Sequence, residues 1–297
     1  MQRKTGSSDH ITRAYLDSLL LEVRHLDSVM PDTGMDLFGH HFDTPVMTAA
    51  LSHLHRTWEN GMVEMARGAA QMNAVTFSGM GPKEELEGMI DTGAKVVKII
   101  KTYQDRESIY DKIRHAESYG ALAVGMDIDH AFSHNGYDCI EGMEMRPLST
   151  DELKDFVKST KLPFVIKGVL SVQDALKCKE AGVKGIVVSH HNGRLQYSLP
   201  PLMVLPEIMK AVDGSMEVFV DCSLESGIDV YKCLALGAKA CCIGRPLMKR
   251  LGEKGAEGVR EGIEEITRDL RYTMAMTCAK NLESIDPSVM RMGSFTW

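Results

Sequence analysis

The 297-residue sequence predicts an α/β protein built as a parallel eight-stranded (β/α)8 barrel, a TIM barrel. Three observations carry this expectation. First, four segments repeat one pattern, in which a helix-like stretch ends in Gly and a short run rich in apolar residues follows. They begin at Gly93 (Gly-Ala-Lys-Val-Val-Lys-Ile-Ile), Gly120, Gly182 and Gly237. Gly tolerates the left-handed backbone that closes a helix, and an apolar run suits a strand buried on both faces. Second, four further runs, Pro45–Ala50, Ala74–Ser78, Pro163–Lys167 and Glu217–Asp221, bring the strand candidates to eight. Eight βα units occupy about 250 residues in this fold. Third, the competing open, doubly wound sheet lacks its marker, since no Gly-x-Gly-x-x-Gly follows the first strand.

Taken in order, residues 1–44 precede the first strand and read as an extension, a lid or helix over the barrel bottom. Ser108–Tyr119 places Ile109, Ile113 and Ala116 on one helical face. The connection Ile128–Ser149 after strand four is the longest segment without a period, and such loops are usually functional or mobile. Ser171-Val-Gln-Asp174 is a capping-box variant that opens the helix after strand five. Val259–Cys278 lines up Val259, Ile263, Ile266, Leu270 and Met274. No linker, low-complexity stretch or composition shift divides the chain, so residues 1–297 read as one domain.

With 44% apolar and 25% charged residues the composition is globular. No apolar run approaches the roughly 20 residues that cross a bilayer, and Met1–His10 has no hydrophobic signal core. Lys and Arg total 34 against 41 acids, a net charge of −7, which weighs against a nucleic-acid partner. Seven Cys without a Cys-x-x-Cys pair fit reduced thiols in the cytoplasm.

In this fold the chemistry belongs to the C-terminal ends of the strands. Those ends read Ala49, Ser78, Lys101, Asp127, Lys167, His191 with Arg194, Asp221, and Gly244 with Arg245. Lys167 follows four apolar or aromatic residues. It reads as a fixed positive charge facing an anionic cofactor or intermediate, as a Schiff-base amine, or as a packed stem with a solvated head. Lys101 has the same options. His191 can take a proton near neutral pH, and Arg194 can hold a carboxylate bidentately. Gly244-Arg245-Pro246 and Ser223-Leu-Glu-Ser-Gly227 follow strands eight and seven, where barrels commonly hold a phosphate. Asp127, Asp129, His130 and His134 after strand four, with His53 and His55 after strand one, have no established ligand spacing. They read as solvated polar loops with no metal.

From Leu162 to about Met290 the chain resembles the FMN-dependent 2-hydroxy-acid oxidase and dehydrogenase family. The resemblance is carried by Val-Ile-Lys167-Gly-Val-Leu, Ser189-His-His191-Asn-Gly-Arg194, Val-Leu-Pro-Glu-Ile, Val-Phe-Val-Asp221, Gly227-Ile-Asp-Val and Ile-Gly244-Arg245-Pro. The first half is similar through Pro45-Val-Met-Thr-Ala-Ala50 and Tyr103-Gln-Asp-Arg106. The resemblance implies an FMN cofactor, a small anionic substrate and a homo-oligomer, a tetramer by analogy. It implies that Lys167 lies at the flavin N1 and O2 edge and steadies the reduced ring. His191 would take the hydroxyl proton of the substrate, or its α-proton, and Arg194 would hold the substrate carboxylate. Asp221, Ser223, Gly244 and Arg245 would hold the ribityl chain and phosphate, and Ala49, Ala50 and Ser78 would line the ring.

The chain also departs from that family. The motif Ser-Asn-His-Gly-Gly-Arg carries His190 and Asn192, and the phosphate loop Asp-Gly-Gly-x-Arg reads Asp221-Cys-Ser-Leu-Glu225. The active-site Tyr of strand three becomes Lys101, the second carboxylate-binding Arg falls near His134, and the aromatic after strand two is Met80. The N-terminal helix with another substrate Tyr is expected to be absent. The reading is a flavoenzyme with a shifted substrate, oxidising the C2 hydroxyl of an α-hydroxy acid or related compound, with Lys101 and His134 at the substrate. Its rivals are a flavin-free Schiff-base aldolase or lyase and a non-catalytic barrel that binds a phosphorylated metabolite.

Overall fold

The computed structural model describes residues 6–293. Eight strands, β1 (Val46–Thr48), β2 (Val75–Ser78), β3 (Lys95–Lys101), β4 (Ala123–Asp127), β5 (Phe164–Val169), β6 (Gly185–Val188), β7 (Glu217–Val220) and β8 (Ala240–Ile243), form one sheet. They hydrogen-bond in the order β1-β8-β7-β6-β5-β4-β3-β2, with parallel pairing throughout. Between β1 and β2 a Leu51–Ser78 bridge and a Gly79 N to Leu51 O bond of 2.9 Å draw the sheet nearly closed. All eight predicted strands are present, and the fold is a TIM barrel.

Helices α1 (Ser8–Ser18), α2 (Gly61–Gln71), α3 (Lys83–Asp91), α4 (Arg106–Tyr119), α5 (Thr150–Lys158), α6 (Val172–Glu180), α7 (Pro201–Val212), α8 (Gly227–Ala235) and α9 (Arg245–Met276) complete the units. The four glycines that announce strands have φ of 88°, 87°, 83° and 100°, the left-handed values that a side chain resists. Ser171 Oγ accepts from Asp174 N at 3.1 Å, as the capping pattern predicts. The last helix is longer than its apolar period. It starts at Arg245 and turns at Lys254–Gly255, where Gly255 adopts φ 59°.

Side chains alternate across each strand, so every second residue enters the barrel. The interior cluster holds Met47, Val75, Phe77, Val97, Ile99, Val165, Val187 and Phe219. A larger cluster fills the layer between sheet and helices. Continuing the inward parity past the apolar core brings Ala49, Lys101, Asp127, Lys167, Ser189 and Asp221 to the barrel mouth. Strand parity therefore fixes which polar groups meet.

The extension divides between the two ends, which corrects its expected place. Only the hairpin of Met35–Leu37 and His40–Phe42 closes the bottom, where Phe38 meets Phe219 edge-on at 6.4 Å. Helix α1 lies at the mouth instead, because its polar side chains have partners there. Thr12 bonds His190 at 2.8 Å, and Arg13 forms a bidentate pair with Asp229 at 2.8 Å. A helix thus does precede β1. Its Tyr15 packs part-buried against the outer core and does not line the cavity described below. The segment after β4 folds as a helical turn, Ile128–His130, and two small hairpins, Phe132–Tyr137 and Cys139–Glu144.

Candidate active site

Two buried ion pairs cross the barrel mouth. Lys101 Nζ lies 2.6 Å from Asp127 Oδ2, and Lys167 Nζ lies 3.7 Å from Asp221 Oδ2 and 3.5 Å from Ser189 Oγ. Burial alone would strip the proton from Lys167, but the charges of Asp127 and Asp221 outweigh it and raise the pKa. Lys167 is therefore a permanent cation in a water-poor site. The Lys101 ammonium is committed to Asp127 rather than free for a ligand.

His191 sits on a tight turn after β6. His191, Asn192 and Gly193 all have positive φ, at 48°, 58° and 84°, a conformation that costs a non-Gly residue about 1–3 kcal/mol. Ser189 Oγ holds the turn by accepting from His191 N at 3.0 Å. The imidazole Nδ1 is 2.7 Å from Asp129 Oδ1 and 3.4 Å from Asp127 Oδ1. Burial and the Lys167 charge pull the His191 pKa down, yet the bonds to Asp127 and Asp129 prevail and leave it raised. Burial and the neighbouring Asp127 push Asp129 up to about 6. Nε2 of His191 faces Nε2 of His130 at 3.3 Å. Burial and the Lys101 charge hold His130 at about 3, so His130 is neutral and accepts from His191 whenever His191 carries both protons.

Arg194 turns to the segment after β4. Its Nη2 donates to Phe132 O at 2.6 Å and to Asp138 Oδ2 at 2.7 Å. At the opposite edge Arg245 pairs with Asp9 at 2.5 and 3.0 Å, and Asp9 also accepts from Ser223 Oγ at 2.8 Å. Between these groups lies a cavity of about 270 Å3, lined by Ala49, Ala50, Lys167, His191, Asp221, Ser223, Glu225, Gly244 and Arg245, among others. A larger hollow of about 540 Å3 lies beside α8 and α9 and touches neither Lys167 nor His191. Of the two, only the smaller cavity is lined by Lys167 and His191.

A family model described as FMN-dependent dehydrogenase matches residues 3–142 and 133–292, nearly the whole chain. The chain belongs to the FMN-dependent dehydrogenase family. Human 2-hydroxyacid oxidase 1 is 26% identical over 301 residues, covering 88% of this chain and 81% of that protein. The 4-hydroxymandelate oxidase of Amycolatopsis orientalis is 29% identical, covering 82% and 78%. The solved structure of mandelate oxidase with benzoyl-formic acid superposes with a TM-score of 0.90 at 29% identity, covering 98% of this chain and 92% of that one.

The residues of this family member fit FMN at both ends of the cavity. At one end are a buried ammonium and the small side chains of Ala49 and Ala50. At the other, the N-cap of α9, Gly244, offers no side-chain cap, leaving backbone N–H groups beside Arg245 for a phosphate. Cys222 and Ser223 adopt φ of 74° and 57°, keeping a turn that glycine would favour. Glu225 lines the same end.

The site residues read from the sequence divide. Ala49, Ala50, Lys167, His191, Asp221, Ser223, Gly244 and Arg245 meet at the cavity. Ser78 is buried, with its hydroxyl turned to Lys98 Nζ at 3.3 Å, and its side chain does not line the cavity. His134 is exposed on the Phe132–Tyr137 hairpin and Arg194 faces Asp138, so neither lines it. Asp129 and His130, read as loop polarity, contact the His191 ring, and His191 rather than His134 completes their cluster of ligand-type atoms within 4.8 Å. Asp9 and Asp138 had no sequence signal, since each lies in an unpatterned stretch far from its partner.

Proposed function

We propose that the chain is a flavin-dependent oxidoreductase that oxidises the C2 hydroxyl of an α-hydroxy acid or a related α-hydroxy compound. The observation that carries this reading is the pairing of a buried ammonium, Lys167, with an imidazole oriented by a carboxylate, His191, on one small cavity. When bound, FMN supplies the two-electron acceptor, so that the carbinol ends as a carbonyl. Lys167 provides fixed positive charge for the electron density gained there. His191 takes the proton at Nε2, while Asp129 keeps Nδ1 protonated and steadies the imidazolium. Asp221 and Ser223 would bind hydroxyls, and Arg245 with the open end of α9 would bind the phosphate.

A divalent ion at the Asp127, Asp129, His130 and His191 cluster is disfavoured by charge, because Lys101 already holds Asp127 and Lys167 lies close by. Purification with added FMN tests the proposal. A yellow protein that bleaches without oxygen when an α-hydroxy compound is added supports it. A protein that takes up no flavin and is trapped by borohydride on Lys167 with an aldehyde substrate overturns it.

A further inference from the structure

Two carboxylates address a pair of imidazoles from opposite ends. His191 Nδ1 lies 2.7 Å from Asp129 Oδ1, and His130 Nδ1 lies 3.3 Å from Asp138 Oδ2. An ionised carboxylate only accepts, so each ring carries its proton on Nδ1 and presents a lone pair at Nε2. The two Nε2 atoms face each other at 3.3 Å, with the rings inclined at 72° and their centroids 4.3 Å apart. Asp138 is fixed in turn. It accepts from Arg194 Nη2 at 2.7 Å and from Cys139 N at 3.0 Å, and its own N–H bonds Ala131 O at 3.1 Å. The tautomer of His130 is thus set from outside the cavity.

Two lone pairs at this distance repel, and one proton between them turns the repulsion into an N–H···N hydrogen bond. Asp127, Asp129 and Asp138 face the pair as anions, and Lys101, Lys167 and Arg194 as cations. Burial and the Lys101 charge hold His130 at about 3, whereas His191 is raised despite burial, through its bonds to Asp127 and Asp129. Of the two nitrogens, His191 Nε2 therefore takes the proton and His130 Nε2 accepts the bond.

We propose that His130 is a positioning residue that retains the substrate proton on His191, its Nε2 accepting from the N–H that forms there. In this step the substrate's bond to hydrogen breaks, its electron pair stays with the substrate, and a new N–H bond forms at His191 Nε2. His130 does not line the cavity, so it acts through His191. The proposal rests on the oxidoreductase reading above and deepens it, because the proton affinity of the base is then set at both of its nitrogens, by Asp129 and by His130.

The test follows the imidazole nitrogens of the FMN-loaded full chain by nitrogen-15 NMR through a pH titration, with signals assigned by their loss in His130→Leu and His191→Asn. In the wild type, His130 keeps its proton on Nδ1 and a bare Nε2 from about pH 6 to pH 9, on both sides of the His191 inflection. His130→Leu lowers the pH of that inflection by about one unit or more, a roughly tenfold loss of proton affinity, because the imidazolium loses a hydrogen-bond partner. An inflection of His191 that is unmoved or raised in His130→Leu overturns the proposal, as does a protonated His130 Nε2 in the wild type over that range. A variant with lowered thermal stability is replaced by His130→Met, read the same way. If the titrations follow this pattern but no α-hydroxy compound bleaches the flavin, the oxidoreductase reading fails and the imidazole pair stands.

Discussion

His191 Nδ1 lies 2.7 Å from Asp129 Oδ1 and 3.4 Å from Asp127 Oδ1, so the second carboxylate after β4, not the strand-end one, is the direct partner of the imidazole. Lys101 accounts for the exchange, because its ammonium draws Asp127 Oδ2 to 2.6 Å. Asp129→Asn should lower turnover by about tenfold to a hundredfold, within the range of general-base effects. It should also move the pH profile. In the proposed role His191 is a base only when Nε2 is unprotonated, so the rate should rise with pH through its raised pKa. Removing a carboxylate that raises that pKa shifts the rising limb to lower pH. A pH profile of kcat/KM for both proteins checks this, and an unmoved limb refutes the pairing.

Lys167 neutralises carboxylates that cannot reach bulk water. Its side chain is 5% exposed and that of Asp221 8%. Lys167→Met should destabilise the fold by about 3–5 kcal/mol, as expected when one partner of a buried pair is removed. Urea unfolding at pH 7 measures the loss, and destabilisation below about 1 kcal/mol would mean the pair is solvated.

Glu225 lines the end of the cavity where α9 opens and where Arg245 pairs with Asp9. Glu225→Arg should tighten FMN binding by roughly tenfold, the effect of about 1.4 kcal/mol. Equilibrium dialysis of the flavin against both proteins gives the ratio. Equal affinities would remove the phosphate from this end.

Lys98 is buried behind the barrel wall, bonded to Gly79 O at 2.5 Å, and burial pushes its pKa down to about 8. The unfolded chain titrates this group near 10.4. Between those values the unfolded state holds a proton that the folded state has released, so stability rises with pH across that window. The stability of the wild type relative to Lys98→Met should therefore increase by about 2 kcal/mol from pH 8 to pH 10. A flat difference would mean Lys98 reaches water.

How much of this was legible in the sequence follows from where each signal resides. The strands were readable because β5 and β6 are buried on both faces and so appear as Phe-Val-Ile and Gly-Ile-Val-Val, and because four glycines mark the preceding helix ends. Lys101, Asp127, Lys167 and Asp221 were readable as strand ends, since inward parity follows from alternation alone. The pairing of those groups was not. Arg194 and Asp138 are 56 residues apart, and Arg245 and Asp9 are 236 apart, in stretches without period. The position of α1 was missed for the same reason, because Arg13 finds Asp229 across 216 residues.

The account turns on His191 acting on a substrate held beside a flavin at the mouth. The most direct measurement is anaerobic flavin bleaching by an α-hydroxy compound in the wild type and in His191→Asn, both loaded with FMN. The account predicts that both proteins are yellow and that the variant bleaches at least a hundredfold more slowly, the scale of a lost general base. Bleaching of His191→Asn at the wild-type rate would contradict it.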